Sequence, residues 1–189
     1  MINLYSDTQT LPSVGMRKAI ESAEVGDEHS RSDPTTLSLE KKVAELLGKE
    51  EAVFLPSGTM CNLVGVAINT SPGDVVILEN SGHILRSETG GPAIVSNVLT
   101  DPIEGQRGQF TVSQIKEKLD QTSRYRPPTT LICLEQTHNF AGGTVWPLEL
   151  WNDVCSFAKS ESLRVHVDGA RLLNAVVASG VSAETWANQ

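Results

Sequence analysis

The chain has no apolar run approaching the ~20 residues that a bilayer-spanning helix needs. It also has no excess of positive charge, the formal net charge being −8 over 189 residues. The first absence excludes a membrane span of that kind; the second argues against nucleic acid and anionic membrane as partners. Cysteine is scarce: Cys61, Cys133 and Cys155 lie far apart and form no C-x-x-C pair. A disulfide frame or a zinc site is therefore not expected, whereas reduced, buried thiols in a cytoplasmic protein are. No H-E-x-x-H segment or other tight ligand spacing marks a catalytic metal. Residues Met1 to Asp7 carry neither a basic start nor an apolar stretch, so no secretory leader is expected. Internal repeats and low-complexity tracts are missing too.

What is there is an ordinary globular composition, 39% hydrophobic and 20% charged, in a chain long enough to bury a core. Short apolar runs alternate with amphipathic ones. Strands are predicted at Ala52 to Leu55, Asp74 to Leu78, from Ala93 to Val95, at Thr130 to Leu134, and around Val165 and Val167. Asp33 is placed to cap a helix with Pro34 in its first turn, an apolar face of Leu39, Val43 and Leu46, and Gly48 at its end. Further helices are predicted from about Thr59, after a capping box of Thr111 and Gln114, from Pro147, and from Leu172. Residues 101–108, with Pro102, Gly105 and Gly108, read as a surface loop. This alternation predicts an α/β fold, a mostly parallel sheet with helices on both faces. Ligands of such sheets sit outside the carboxyl ends of the strands.

The predicted strand exits carry polar residues. Ser57-Gly58-Thr59 lies between a strand and a helix, where free backbone N–H groups and hydroxyls make an anion site; the plain alternative is a turn with an N-cap. His83 follows a strand and reads either as a satisfied polar residue or as a group that stacks on a flat cofactor or acts as a base. Glu135 and His138 begin a loop that Asn139 and Gly142-Gly143 can turn, so they read as loop anchors or as support for a site. Asp168-Gly169-Ala170-Arg171 leaves the apolar run ending in Val167. Its carboxylate can hold a positive ring nitrogen and its guanidinium an anionic group; the alternative is an exposed ion pair of little energetic weight.

Taken in order, Ser6-Asp7-Thr8, Val25-Gly26-Asp27 with Asp33-Pro34-Thr35, Pro56-Ser57-Gly58-Thr59-Met60, Ser81-Gly82-His83-Ile84, Thr137-His138-Asn139 and His166-Val167-Asp168-Gly169-Ala170-Arg171 resemble the threonine aldolase family of the β-eliminating lyases. Those are pyridoxal 5'-phosphate (PLP) enzymes of the aspartate-aminotransferase-like fold, fold type I. The resemblance implies that Ser57, Gly58 and Thr59 hold the cofactor phosphate. It implies that His83 stacks on the ring and takes part in proton transfer, and that Asp168 pairs with the ring nitrogen. Arg171 would contact the cofactor or the substrate carboxylate, and Ser6 would help bind that carboxylate. The implied reaction is retro-aldol cleavage of a small amino-acid substrate, threonine or allo-threonine, to glycine and acetaldehyde, in a homo-oligomer when full-length.

The chain also departs from the family. The family's cofactor-bonding lysine lies in a Ser-Lys-Gly segment expected beyond Gln189, followed by a small domain with a further carboxylate-binding Arg. Residues 1–189 are therefore expected to be an incomplete large domain, inactive in cleavage alone. Lys159 cannot substitute, because it falls on the helix before the Asp168 strand. Members place Tyr-Gly after the Gly-Asp-Asp segment, where this chain reads Gly26-Asp27-Glu28-His29-Ser30-Arg31. Many have a His where this chain has Tyr125-Arg126-Pro127-Pro128, and Gln136 stands for their Asn. Two rival readings remain at this point: a non-catalytic truncated or pseudoenzyme form, and a metal-dependent hydrolase built on His83, His166 and Asp168.

Overall fold

The computed structural model describes residues 2–120 and 125–188. The chain divides into two compact units, Met1–Phe54 and Leu55–Gln189.

The first unit is helical. Ser6 caps a short 3-10 turn, Asp7–Gln9, and Ser13 caps α1 (Val14–Glu21). In α2 (Pro34–Leu47) the predicted signals all act: Asp33 accepts from Thr36 N, Pro34 opens the helix, and Gly48 ends it in the left-handed region at φ 61°. The other oxygen of Asp33 accepts from Gly26 N at 2.8 Å, and Thr35 Oγ1 donates to the Glu24 carbonyl at 2.6 Å. Only glycine fits at 26, since a Cβ there would lie 2.4 Å from the Ser32 carbonyl oxygen. The predicted apolar face of α2 is not the buried one. Leu39 and Leu46 are exposed, and the helix buries Ala44 and the carboxylate of Glu40. Glu40 is buried because it has partners, Arg31 Nη2 at 2.9 Å and Phe54 N at 2.8 Å. That bond also helps explain why Ala52 to Leu55 is not the predicted strand. Its backbone turns to a side chain, and no ladder forms.

The second unit holds a four-stranded parallel sheet in the order β2-β1-β3-β4. The strands are β1 (Val75–Glu79), β2 (Leu99–Ile103), β3 (Thr129–Glu135) and β4 (Arg164–Asp168). Side-chain alternation sorts them onto two faces. Val76 and Leu78 of β1 and Leu131 and Cys133 of β3 pack with Val66 of α3 (Gly58–Asn69). Ile77, Ile132 and Leu134 face the other way, toward α5 (Val112–Asp120) and α6 (Leu148–Ser160). That second layer contains a row of edge-to-face rings, Phe110–Trp146–Trp151–Trp186, with centroids 5.3 to 5.7 Å apart. The remaining helices are α4 (His83–Arg86), α7 (Leu172–Ser179) and α8 (Ala183–Ala187).

Two predictions for this unit are corrected. Ala93 to Val95 lies in a π-helical turn, Pro92–Ser96, rather than a strand. Its approach, with Thr89 and Gly90 at positive φ, bends the chain too sharply for extended backbone. Part of the expected 101–108 loop is strand β2, paired in register with β1. Proline at 102 is compatible with that because β2 is an edge strand, where a missing N–H need not break a ladder. The mostly parallel sheet with helices on both faces is as expected.

Candidate active site

All four strands point their carboxyl ends the same way, and three of those ends are acidic: Glu79, Glu135 and Asp168. The chain order reverses between β1 and β3, which makes their exit the topological switch point where sheets of this type bind ligands. A cavity of ≈ 10 Å³ opens there among Gly82, His83, Glu135, His138 and Asp168.

Asp168 ends β4 and is 8% exposed. Its Oδ1 accepts from Ala170 N at 3.2 Å, so the Asp-Gly-Ala turn closes on its own carboxylate. Its Oδ2 accepts from Asn62 Nδ2 at 2.9 Å. The second N–H of that amide donates to Glu88 Oε1 at 3.0 Å, and the amide oxygen lies 2.9 Å from His166 Nε2. His83 completes the group, with Nδ1 2.9 Å from Glu88 Oε1 and 3.9 Å from Asp168 Oδ2. An ionised carboxylate only accepts, so Nδ1 carries the hydrogen of this contact and Nε2 lies outside it. The His83 side chain is 33% exposed, while that of Glu88 is fully buried, with Oε2 lacking a hydrogen-bond partner.

Electrostatics follow the geometry. Burial pushes the His166 pKa below the usual imidazole value, although Asp168 and Glu88 oppose this in part. Burial, and then the charge of Asp168, raise the thiol pKa of Cys133 on β3. Behind these residues, Glu135 Oε2 accepts from His83 N at 2.8 Å and Oε1 from Asn139 N at 2.8 Å, fixing where α4 begins. Glu79 accepts from Ser81 N at 2.7 Å and lies 3.0 Å from His138 Nε2, an ion-pair distance without hydrogen-bond alignment. His138 is fully buried and its Nδ1 accepts from Ala141 N at 3.3 Å, so it anchors the loop.

The start of α3 lies within reach of this network. Ser57 caps it by accepting from Met60 N at 3.1 Å, and the N–H groups of Gly58 and Thr59 belong to its first turn. A Cβ on Gly58 would meet nothing within 4 Å, so the space above the turn is open. Asn62 lies four residues on, about 6 Å of helix rise from Gly58, and bonds directly to Asp168. The start of α3 is thus connected to the Asp168 carboxylate through the Asn62 side chain.

The model of the β-eliminating lyase family matches residues 3–189. The chain belongs to that family. Within it the resemblance is to threonine aldolases. A probable low-specificity L-threonine aldolase 2 of Arabidopsis thaliana is 41% identical over 184 residues, 95% of this chain and 52% of the relative. The low specificity L-threonine aldolase of Escherichia coli strain K12 is 39% identical over 181 residues, 95% and 54% of the two chains. The structure of Leishmania major threonine aldolase superposes with a TM-score of 0.72 at 25% identity, covering 82% of this chain and 46% of that one. The family's fold type I architecture is thus the one observed. The chain spans about half the length of the curated relatives it matches.

His83 and Asp168, singled out in the sequence of this lyase-family chain, come together, and Gly58 and Thr59 stand in the first turn of the helix whose Asn62 binds Asp168. Arg171 sits at the N-cap of α7, three residues past Asp168. Ser6 lies in the first unit, where its hydroxyl accepts from Thr8 N at 3.3 Å. The metal set considered earlier is not the one that converges. His166 is turned to Asn62, and among the described residues the group whose ligand atoms lie within 4.8 Å of one another is His83, Glu88 and Asp168. Asn62 and Glu88 escaped the sequence reading. One available signal was an Asn on the buried side of an apolar helix, one turn before Val66.

Among the described residues, no helix is long and apolar enough to cross a membrane.

Proposed function

We propose that the protein is a PLP-dependent aldehyde-lyase of the threonine aldolase type, cleaving a β-hydroxy-α-amino acid such as threonine or allo-threonine to glycine and an aldehyde. One observation carries this reading: a buried carboxylate beside a carboxylate-bound histidine is hydrogen-bonded by Asn62, one turn after the open, glycine-started N-terminus of its helix. That donor set fits the cofactor. The N–H groups of Gly58 and Thr59, with the Ser57 hydroxyl, would hold the phosphate. Asp168, already held by Ala170 N and Asn62 Nδ2, would hold the protonated ring nitrogen. When bound, PLP supplies the electron sink that makes breaking the Cα–Cβ bond feasible.

The protein's own groups orient and move a proton. His83, with Nδ1 tied to Glu88, would lie against the ring and offer Nε2 as the base for the substrate's β-hydroxyl. Arg171 would hold the substrate carboxylate. In this reading residues 1–189 form part of the PLP-binding large domain of a cytoplasmic homo-oligomer. The lysines of the second unit stand elsewhere: Lys118 pairs with Asp101, Lys116 lies over the Phe157 ring, and Lys159 is in the last turn of α6. These residues would therefore hold PLP without a covalent bond, and cleavage by them alone is not expected.

Titration with PLP, followed by absorbance, tests the reading. The protein should bind saturably, and Asp168→Ala should weaken binding at least about tenfold, the size of one lost charge-assisted contact. Borohydride reduction should label no single lysine. Equal PLP binding by Asp168→Ala, or one stoichiometrically labelled lysine, overturns the site as drawn.

A further inference from the structure

We propose that Asn62 and His166 are positioning residues that fix the direction of the Asp168 carboxylate, an inference that rests on the proposed function. Every polar atom of the Asn62 amide is committed. Its two N–H groups go to Glu88 Oε1 at 3.0 Å and Asp168 Oδ2 at 2.9 Å, and its oxygen meets His166 Nε2 at 2.9 Å. Turning the amide over would aim its oxygen at two carboxylates, so the orientation has one solution. That solution fixes the imidazole as well, because Nε2 of His166 must carry the hydrogen it shares with Asn62 Oδ1.

The arrangement matters because Glu88 and Asp168 are both buried and close enough to join His83 in one 4.8 Å cluster. Two buried carboxylates at such a distance repel and need donors to hold them in place. Asn62 supplies one donor to each. His166 reaches this amide from β4, two residues before Asp168 and on the same face of the sheet. Its ring lies against α3 at Gly65, where a Cβ would come within 2.4 Å of Cε1. Strand and helix are thereby held in one relative placement, and the Asp168 carboxylate keeps its direction toward a ring nitrogen.

The test compares two probes, PLP and deaza-PLP, in which a C–H replaces the ring nitrogen. Asn62→Ala should weaken PLP binding about tenfold, the size of one hydrogen bond to a charged group, and leave deaza-PLP binding unchanged. His166→Phe should weaken PLP binding severalfold, whereas His166→Gln, whose amide can still donate to Asn62, should restore it. In the protein without PLP, nitrogen NMR should find the His166 proton on Nε2. Equal weakening of both probes by Asn62→Ala would mean that the residue serves only to hold α3 in place, and would overturn the inference. Failure of His166→Gln to bind better than His166→Phe would remove His166 from it, as would a proton on Nδ1. If the unaltered protein takes up neither probe, the proposed function falls first and this inference with it.

Discussion

Adding one methyl group at Gly65 should destabilise the protein, although by helix propensity alone it should stabilise it. Alanine in a helix interior is favoured over glycine by about 0.8–1.0 kcal/mol. Gly65 lies inside α3, so Gly65→Ala would gain that much if nothing stood nearby. The structure sets an obstacle. The new Cβ would lie 2.4 Å from Cε1, 2.6 Å from Nδ1 and 3.2 Å from Nε2 of His166. The imidazole cannot swing far, because the backbone of His166 is held in the β4 ladder opposite Cys133. Overpacking of this kind costs roughly 1–3 kcal/mol, and moving the ring forfeits the His166–Asn62 hydrogen bond, about another 1 kcal/mol. The balance is a net loss of about 1–3 kcal/mol. With a urea slope of roughly 2 kcal/mol per molar, the midpoint followed by circular dichroism should fall by about 0.5–1.5 M. Gly58→Ala is the control. Its Cβ meets nothing within 4 Å, so stability should stay within about 0.5 kcal/mol while PLP binding weakens. A Gly65→Ala protein more stable than the parent would refute the reasoning, because His166 could not then be packed as described.

Two more expectations follow from the titrating groups. Burial lifts the Cys155 thiol to about 11 and raises Cys133 as well, whereas Cys61 is exposed. Alkylation of the folded protein near pH 8 should therefore modify Cys61 first, and peptide mapping that finds Cys133 labelled as fast would contradict its burial. The folded His166 titrates below its unfolded value near 6.5, so the unfolded chain takes up a proton that the folded one refuses. Its contribution to stability is present above pH 6.5 and declines as pH falls toward the folded pKa, by at most about 1.4 kcal/mol per pH unit. His166→Gln should flatten that part of the stability profile, and an unchanged slope between pH 6.5 and 5 would argue against a neutral, buried ring.

The framework of the second unit was legible because local and long-range signals agreed there. Val75 to Leu78 and Leu131 to Leu134 are apolar on both faces, as strands covered by helices on each side must be. Thr111 and Gln114 form the capping box their spacing suggests, with Thr111 N donating to Gln114 Oε1 at 2.9 Å. The misses have a common cause, which is that tertiary partners overrode local pattern. Ala52 to Leu55 has strand composition, but the Phe54 N–H is taken by Glu40. Leu99 to Ile103 contains a proline and two polar residues, yet it pairs because an edge strand tolerates them. At the site, Asp168 and His83 stood out because they follow strands. Glu88 and Asn62 did not, since what distinguishes them is burial among partners 26 and 106 residues away in sequence.

The aromatic row has a practical consequence for anyone who follows this molecule by its intrinsic emission. Trp146, Trp151 and Trp186 are the chain's three tryptophans, and all belong to one dry layer behind the sheet. Excited together and set edge to face within energy-transfer range, they behave as a single lamp lit by the second unit alone. Residues 1–54 contain none, so an optical melt can look complete, or untouched, while that helical segment does something else entirely.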